Sequence, residues 1–274
     1  MENFKKDLQL LEPKSSAGRN PRHPISTGLL NILAIVFFLG IWTLYCLVFA
    51  PKNYLIPGPW LVIQAGVEKW QSGLLFQHMG ASLYRVLTAF VAALIFGVIV
   101  GFLMGWYRWV RGIFEPFVQF FRMIPAIAMI PLFILYVGIG EPSKIIVIWV
   151  SAFLTIVITV YQGIRNIDPN LIKAARVLGA SNFSIFRYIA IPASFPYILV
   201  AARLGSAASW TTLVAAELIA ASRGLGYMVT EAGTYFQPSV MYLGIVLIGI
   251  LGLVMDRIIL YLENKLAGWQ EKVA

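Results

Sequence analysis

The sequence predicts an all-α integral membrane protein with six transmembrane helices and a cytoplasmic helix pair between the fourth and the fifth. Three observations predict it. Of the 274 residues, 59% are hydrophobic and only 12% charged, about half the charged share of a soluble domain, so the chain lacks the charges to clothe a water-facing surface. The apolar residues fall into six runs, about 27–50, 83–107, 114–137, 144–163, 193–221 and 240–262, each at or above the ~20 residues that cross the hydrocarbon. The longest polar and basic interruption, 168–192, carries its own helix signals.

The elements follow in order. Residues 1–24 hold Lys5, Lys6, Lys14, Arg19 and Arg22 and read as a basic cytoplasmic tail at an anionic membrane face; residues 25–274 read as one transmembrane domain. The first apolar run follows this tail and is long enough to span, so no cleavable signal peptide is expected. Trp42 and Tyr45 lie near its far end, where such rings favour the interface. Pro51, Pro57, Gly58 and Pro59 break the chain, and 60–70 predicts a short surface helix. In the second span Gly97, Gly101 and Gly105 recur every four residues, a spacing that lets another helix approach closely. A basic aromatic turn occupies 106–111. Pro125 and Pro131 interrupt the third span, and irregular backbone at membrane depth is tolerated where it is buried in protein or lines a cavity.

The interruption reads DPNLIKAARVLGASNFSIFRYIAIP. Asp168 suits an N-cap and Pro169 the first helical position, where its missing N–H would be unpaired anyway. Leu171, Ala174, Ala175 and Leu178 fall at i, i+3, i+4 and i+7 and share a face. Gly179 stops that helix by entering the left-handed conformation at little cost. Ser181 caps a second helix and Pro192 ends it. Helix, glycine turn, helix makes a compact knob. Such a knob suits docking to a partner, and its basic residues suit equally an amphipathic hairpin resting on lipid.

Lys and Arg orient the spans. Fourteen lie on the face that holds the termini, the 106–111 turn and the segment 164–192; five (Lys52, Lys69, Arg85, Lys144, Arg223) lie on the other. The excess places termini and knob in the cytoplasm. One cysteine, Cys46, and two distant histidines, His23 and His78, leave no basis for a disulfide or a metal site.

Lys173-Ala174-Ala175-x3-Gly179-x9-Ile189-x-Ile191-Pro192 resembles the E-A-A-x3-G-x9-I-x-L-P pattern in the cytoplasmic loop of ABC importer permeases, with Lys173 in place of the usual Glu and Ile191 of the usual Leu. Leu55-Ile56-Pro57-Gly58-Pro59, the run from Arg122 through Pro125 to Pro131, and Trp210, Glu217 and Gly224-Leu225-Gly226 resemble further elements of the nitrate/sulfonate/taurine/bicarbonate group. Within it the chain looks most like the cyanobacterial nitrate permease subunit. The resemblance implies a type I ABC importer permease, the transmembrane subunit for a small inorganic anion, nitrate or nitrite first and bicarbonate or an aliphatic sulfonate such as taurine as alternatives. It implies a bacterial inner membrane, a second permease copy, two cytoplasmic ATPase subunits that are identical or paired, and an extracytoplasmic solute-binding protein. No G-x4-GK-[ST] loop occurs, so ATP and Mg fall to the ATPases and this chain binds no cofactor.

Candidate ATPase-docking residues are Lys173, Ala174, Ala175, Arg176, Leu178, Gly179, Ala180, Phe183 and Phe186. The small ones let a groove approach the backbone, Leu178 and the two phenylalanines anchor, and the cations meet an acidic rim. Charges inside spans are functional candidates. Arg122 attracts an anion or snorkels to the interface; Arg203 serves the path or an intersubunit contact; Glu217 reads as structural, paired with Arg223. Phe121, Met123, Pro125, Ser209 and Thr212 complete the candidate path. An intramembrane enzyme would need paired Asp, a Ser–His pair or HExxH within the spans. None is present, and Asp256 stands alone near the cytoplasmic end. A carrier working without an ATPase would leave the knob without a role.

Overall fold

The computed structural model describes residues 27–49 and 55–266, in two units divided between residues 51 and 52. The basic tail 1–24 and the end of the chain, Lys272 included, lie outside the described residues. Every regular element described is helical. In the smaller unit α1 (Thr27–Phe49) carries no charged residue, and Thr43 donates its hydroxyl to the Leu39 carbonyl at 2.7 Å.

In the larger unit Gly58-Pro59 opens α2 (Pro59–Gln71). Gly73, at φ 73, turns the chain into α3 (Leu74–Trp106). This span begins nine residues before the predicted position 83, because nothing in 74–82 interrupts a helix. Tyr107 breaks it for one residue, and α4 (Arg108–Phe121) follows at once. The expected aromatic turn at 106–111 is thus mostly helix.

The expected third span, 114–137, is instead two helices. Helix α4 tightens into i→i−3 turns at Met123 and Ile124 and the chain resumes as α5 (Ala126–Val137), bent by 100° from α4. Pro125 supplies no N–H and disfavours helix at the residue before it. Beyond a short connection come α6 (Glu141–Arg165), α7 (Pro169–Val177), α8 (Asn182–Ile185), a π turn (Phe186–Ala190), α9 (Ile191–Ala220), α10 (Leu225–Thr234) and α11 (Pro238–Leu266). Pro192 does not end a helix as expected. It sits in the first turn of α9, and the wide π turn before it receives the proline ring, which would meet a carbonyl four residues back in a regular helix. Among the described residues five helices are long and apolar enough to cross a membrane, and the bent pair α4–α5 makes six if it is one span.

The core lies where α3, α6 and α9 pack together. A Cβ on Gly97, Gly101 or Gly105 would come within 2.8, 2.8 and 2.7 Å of Ile156, Val160 and Ile164. The glycine row of α3 therefore takes the β-branched ridge of α6 directly against its backbone. Gly205 does the same for α9, where a Cβ would stand 2.6 Å from Ile156. In lipid, where apolar surfaces gain little from meeting each other, this close packing is what holds spans together.

Candidate functional site

The knob is built from its caps. The Asp168 carboxylate accepts the Asn170 N–H at 2.8 Å. Gly179, at φ 80, lets the Ala180 N–H reach back to the Ala175 carbonyl at 2.9 Å. The Ser181 hydroxyl accepts the Ser184 N–H at 3.1 Å. Helix α7 buries no residue: Lys173, Ala174, Arg176, Leu178 and Gly179 are exposed, Ala175 and Ala180 half-buried. Leu178 is 87% and Phe183 69% exposed, so both remain available as anchors.

Phe186 is not. It lies half-buried against Trp106 and Phe102, with ring centroids 5.1 and 6.1 Å apart, and with Ile185 and Ala190 it roots the second half of the knob in the body. Sequence reasoning missed Val177, also 87% exposed; it lies off the face shared by Leu171 and Leu178, and only its exposure in the fold reveals it.

The broken span forms a second site. Phe121, Arg122 and Pro125 at the break and Ser151 and Thr155 on α6 line a concavity of about 170 Å³. Thr212 reaches its edge by donating to the Ser151 hydroxyl at 2.9 Å. Met123, 70% exposed, lies at the break but does not line the concavity. Ser209 is fully buried and spends its hydroxyl on the Gly205 carbonyl, 2.9 Å away. Arg203 lies elsewhere, its guanidinium on Asp256 at 2.8 and 3.3 Å. That pairing corrects the reading of Asp256 as solitary.

The third site holds charges that the sequence placed on the outer surface. Arg85 is fully buried. It donates to Glu217 at 2.6 Å, to Glu141 at 2.5 and 2.6 Å, and to the Arg223 carbonyl at 2.7 Å. Glu217 also accepts from the Ser82 hydroxyl and from the Gly226 N–H at 2.8 Å. Lys144 joins through Glu141 at 3.4 Å and the Ala220 carbonyl at 3.3 Å. His78 Nδ1 accepts the Gly224 N–H at 3.1 Å, which fixes the tautomer with its proton on Nε2. Glu217 is therefore structural as expected, but its partner is Arg85. Arg223 contributes only a backbone carbonyl. Gly226 is small because a Cβ there would stand 2.7 Å from the Glu217 side chain.

Among the described residues no buried polar side-chain atom lacks a partner, and no cluster of His, Cys, Asp or Glu is placed to hold a metal. What the three sites offer is an exposed handle at one end, a break with a hydroxyl-lined concavity, and a charge-locked junction of α3, α6, α9 and α10.

A model of the "binding-protein-dependent transport system inner membrane component" matches residues 93–268, more than half of the chain. The chain belongs to this family. The permease is 46% identical over 247 residues to a probable ABC transporter permease protein of Brucella abortus, covering 90% of this chain and 98% of the relative. It is 36% identical to the taurine transport system permease protein of Escherichia coli, covering 91% and 90%, and 30% identical to the nitrate import permease protein of Synechocystis, covering 94% and 99%. Among solved structures, the methionine ABC transporter in an inward-facing conformation is similar, with 25% identity, a TM-score of 0.54, and coverage of 67% of this chain and 93% of that one. The fold is that of type I ABC importer permeases, and the permease is a multi-pass inner-membrane protein. The taurine relative is more similar than the nitrate relative, so the nitrate subunit does not stand out as the sequence reading had it.

Proposed function

We propose that this permease subunit imports a small oxyanion and is driven through the knob at 168–192 by ATPase subunits docked beneath it. The observation that carries the reading is α7: nine residues, capped at both ends, with none fully buried and Ile172 only partly packed against the body. A helix that spends its caps on holding itself out leaves its apolar residues, Val177, Leu178 and Phe183, for a partner's groove, while Lys173 and Arg176 meet acids at its rim. Two copies of the chain form the path. Termini and knob face the cytoplasm, supported by the fourteen-to-five distribution of Lys and Arg. The chain supplies no catalytic group and holds no cofactor; ATP and Mg are bound by the partner subunits.

The substrate head is an oxyanion that Arg122 draws to the break and that passes the hydroxyls of Ser151 and Thr212. An organosulfonate is favoured by the greater identity to the taurine relative. Nitrate is the second reading, supported by a match running over 94% of this chain. Calorimetry on the cognate solute-binding protein with taurine, an alkanesulfonate, nitrate and bicarbonate decides: heat with a sulfonate supports the first reading, heat with nitrate alone the second, and no heat with any of the four would remove the oxyanion.

A further inference from the structure

Helix α10 ends in a Schellman turn whose left-handed position is filled by a phenylalanine. The Gln237 N–H donates to the Ala232 carbonyl at 2.8 Å and the Phe236 N–H to the Gly233 carbonyl at 3.3 Å, the two bonds that define the motif. Phe236 has φ 52 and is the one non-glycine residue with positive φ among the described residues. Glycine is usual there because a Cβ is strained in that conformation. Packing does not offset the strain, since the Phe236 side chain is 86% exposed and Tyr235 beside it 69%. Strain kept without an internal reward points to an external use.

The turn stands at the membrane end opposite the knob. Helix α9 leaves the knob and ends at Ala220, and α11 starts back from Pro238. Helix α10 packs along α11, with Val229 against Gly244, and rises from the Glu217–Gly226 contact. Six residues of helix beyond Val229 carry Tyr235 ~9 Å further out. Beside the tip lies a concavity of about 450 Å³ bordered by Gln64, Glu68, Lys69, Gln237 and Ser239. Charges of both signs mark that border as water-facing, because hydrocarbon does not tolerate them unpaired. An exposed aromatic pair on a rigid cap, with a polar border at its side, has the make-up of a protein-interface anchor. The family is binding-protein-dependent by its own description.

We infer that Tyr235 and Phe236 are the anchor on which the substrate-loaded binding protein docks, with the groove of Glu68 and Lys69 as its polar rim. The inference rests on the importer reading above, which puts this end outside the cytoplasm.

The test uses the full complex with its ATPases in lipid vesicles and titrates loaded binding protein against ATP hydrolysis. Phe236→Gly removes the strained Cβ, so the melting temperature of the complex is expected to hold or rise. The concentration of binding protein for half-maximal stimulation is expected to rise about tenfold, with the maximal rate kept. Tyr235→Ala is expected to shift it the same way, and Phe236→Tyr to restore most of the affinity. Equal half-maximal concentrations for wild type and Phe236→Gly overturn the inference while leaving the importer reading intact. A fall in melting temperature with an unmoved half-maximal concentration marks a lipid anchor and overturns it too. Failure of loaded binding protein to stimulate the wild type at any concentration overturns the importer reading and this inference together.

Discussion

Arg85 and Glu217 meet at 2.6 Å with side chains 0% and 1% exposed; removing Arg85 leaves Glu217 buried without its cation, whereas removing Glu217 leaves Arg85 still paired with Glu141. Arg85→Met is expected to destabilise the permease by roughly 3–5 kcal/mol, the cost of leaving Glu217 as an uncompensated buried charge, while Arg85→Met with Glu217→Leu costs less than the two single changes added. Thermal unfolding of the purified permease measures both. Equal costs for the double change and the sum of the singles would show that the two residues do not act as a pair. These partners were not legible in the sequence. Glu217 stands six residues from Arg223 but 132 from Arg85, and local spacing offers the nearer cation. Arg203 and Asp256, 53 apart, hid for the same reason. What was legible was the type of residue: charges in apolar runs, and a Gly-Leu-Gly run that proved to be where the backbone meets Glu217. At the broken span, Arg122→Gln is expected to slow anion uptake several-fold without releasing the ATPases. Uptake and co-purification measured side by side check this, and unchanged uptake would remove Arg122 from the path.

At the scale of elements, the glycine row of α3 was legible as a period of four, and the structure supplies its counterpart on α6. Gly101→Leu would drive a side chain into Val160, whose Cβ stands 2.8 Å from even an added Cβ. The expected outcome is a permease that inserts but packs poorly, losing its folded form in mild detergent; a normal melting temperature would contradict the close packing. The knob was read correctly in its first half, since Asp168, Pro169 and Gly179 carry local rules that need no tertiary context. Its second half was misread at Phe186 and Pro192. A phenylalanine in a basic loop looks like an anchor for a partner, and only the fold brings Trp106 and Phe102 beside it. The bend between α4 and α5 was half legible: Pro125 announces a break, but the 100° angle depends on what the two helices pack against. Gly179→Asp is expected to leave membrane insertion unchanged and to abolish ATPase co-purification, because φ 80 penalises a side chain and the acid opposes the rim. An intact complex would sink the docking role of the knob.

For the whole molecule, composition alone gave the class, because 12% charge leaves no soluble solution. The span count depends on whether the α4–α5 pair is one crossing, which hydropathy reads as a single run. The rest of the architecture is a division of labour along the membrane normal: an exposed handle at one end, a locked charge junction towards the other, and glycine-backed helix packing between. That arrangement suits an importer driven from the handle. Reconstitution tests this most directly. The permease is placed in sealed vesicles alone, or with its ATPase subunits and loaded binding protein, and entry of labelled substrate is followed with and without ATP. The expected result is uptake only with the ATPases, the binding protein and ATP all present, lost again with Gly179→Asp. Uptake by the permease alone at the same rate would contradict the account.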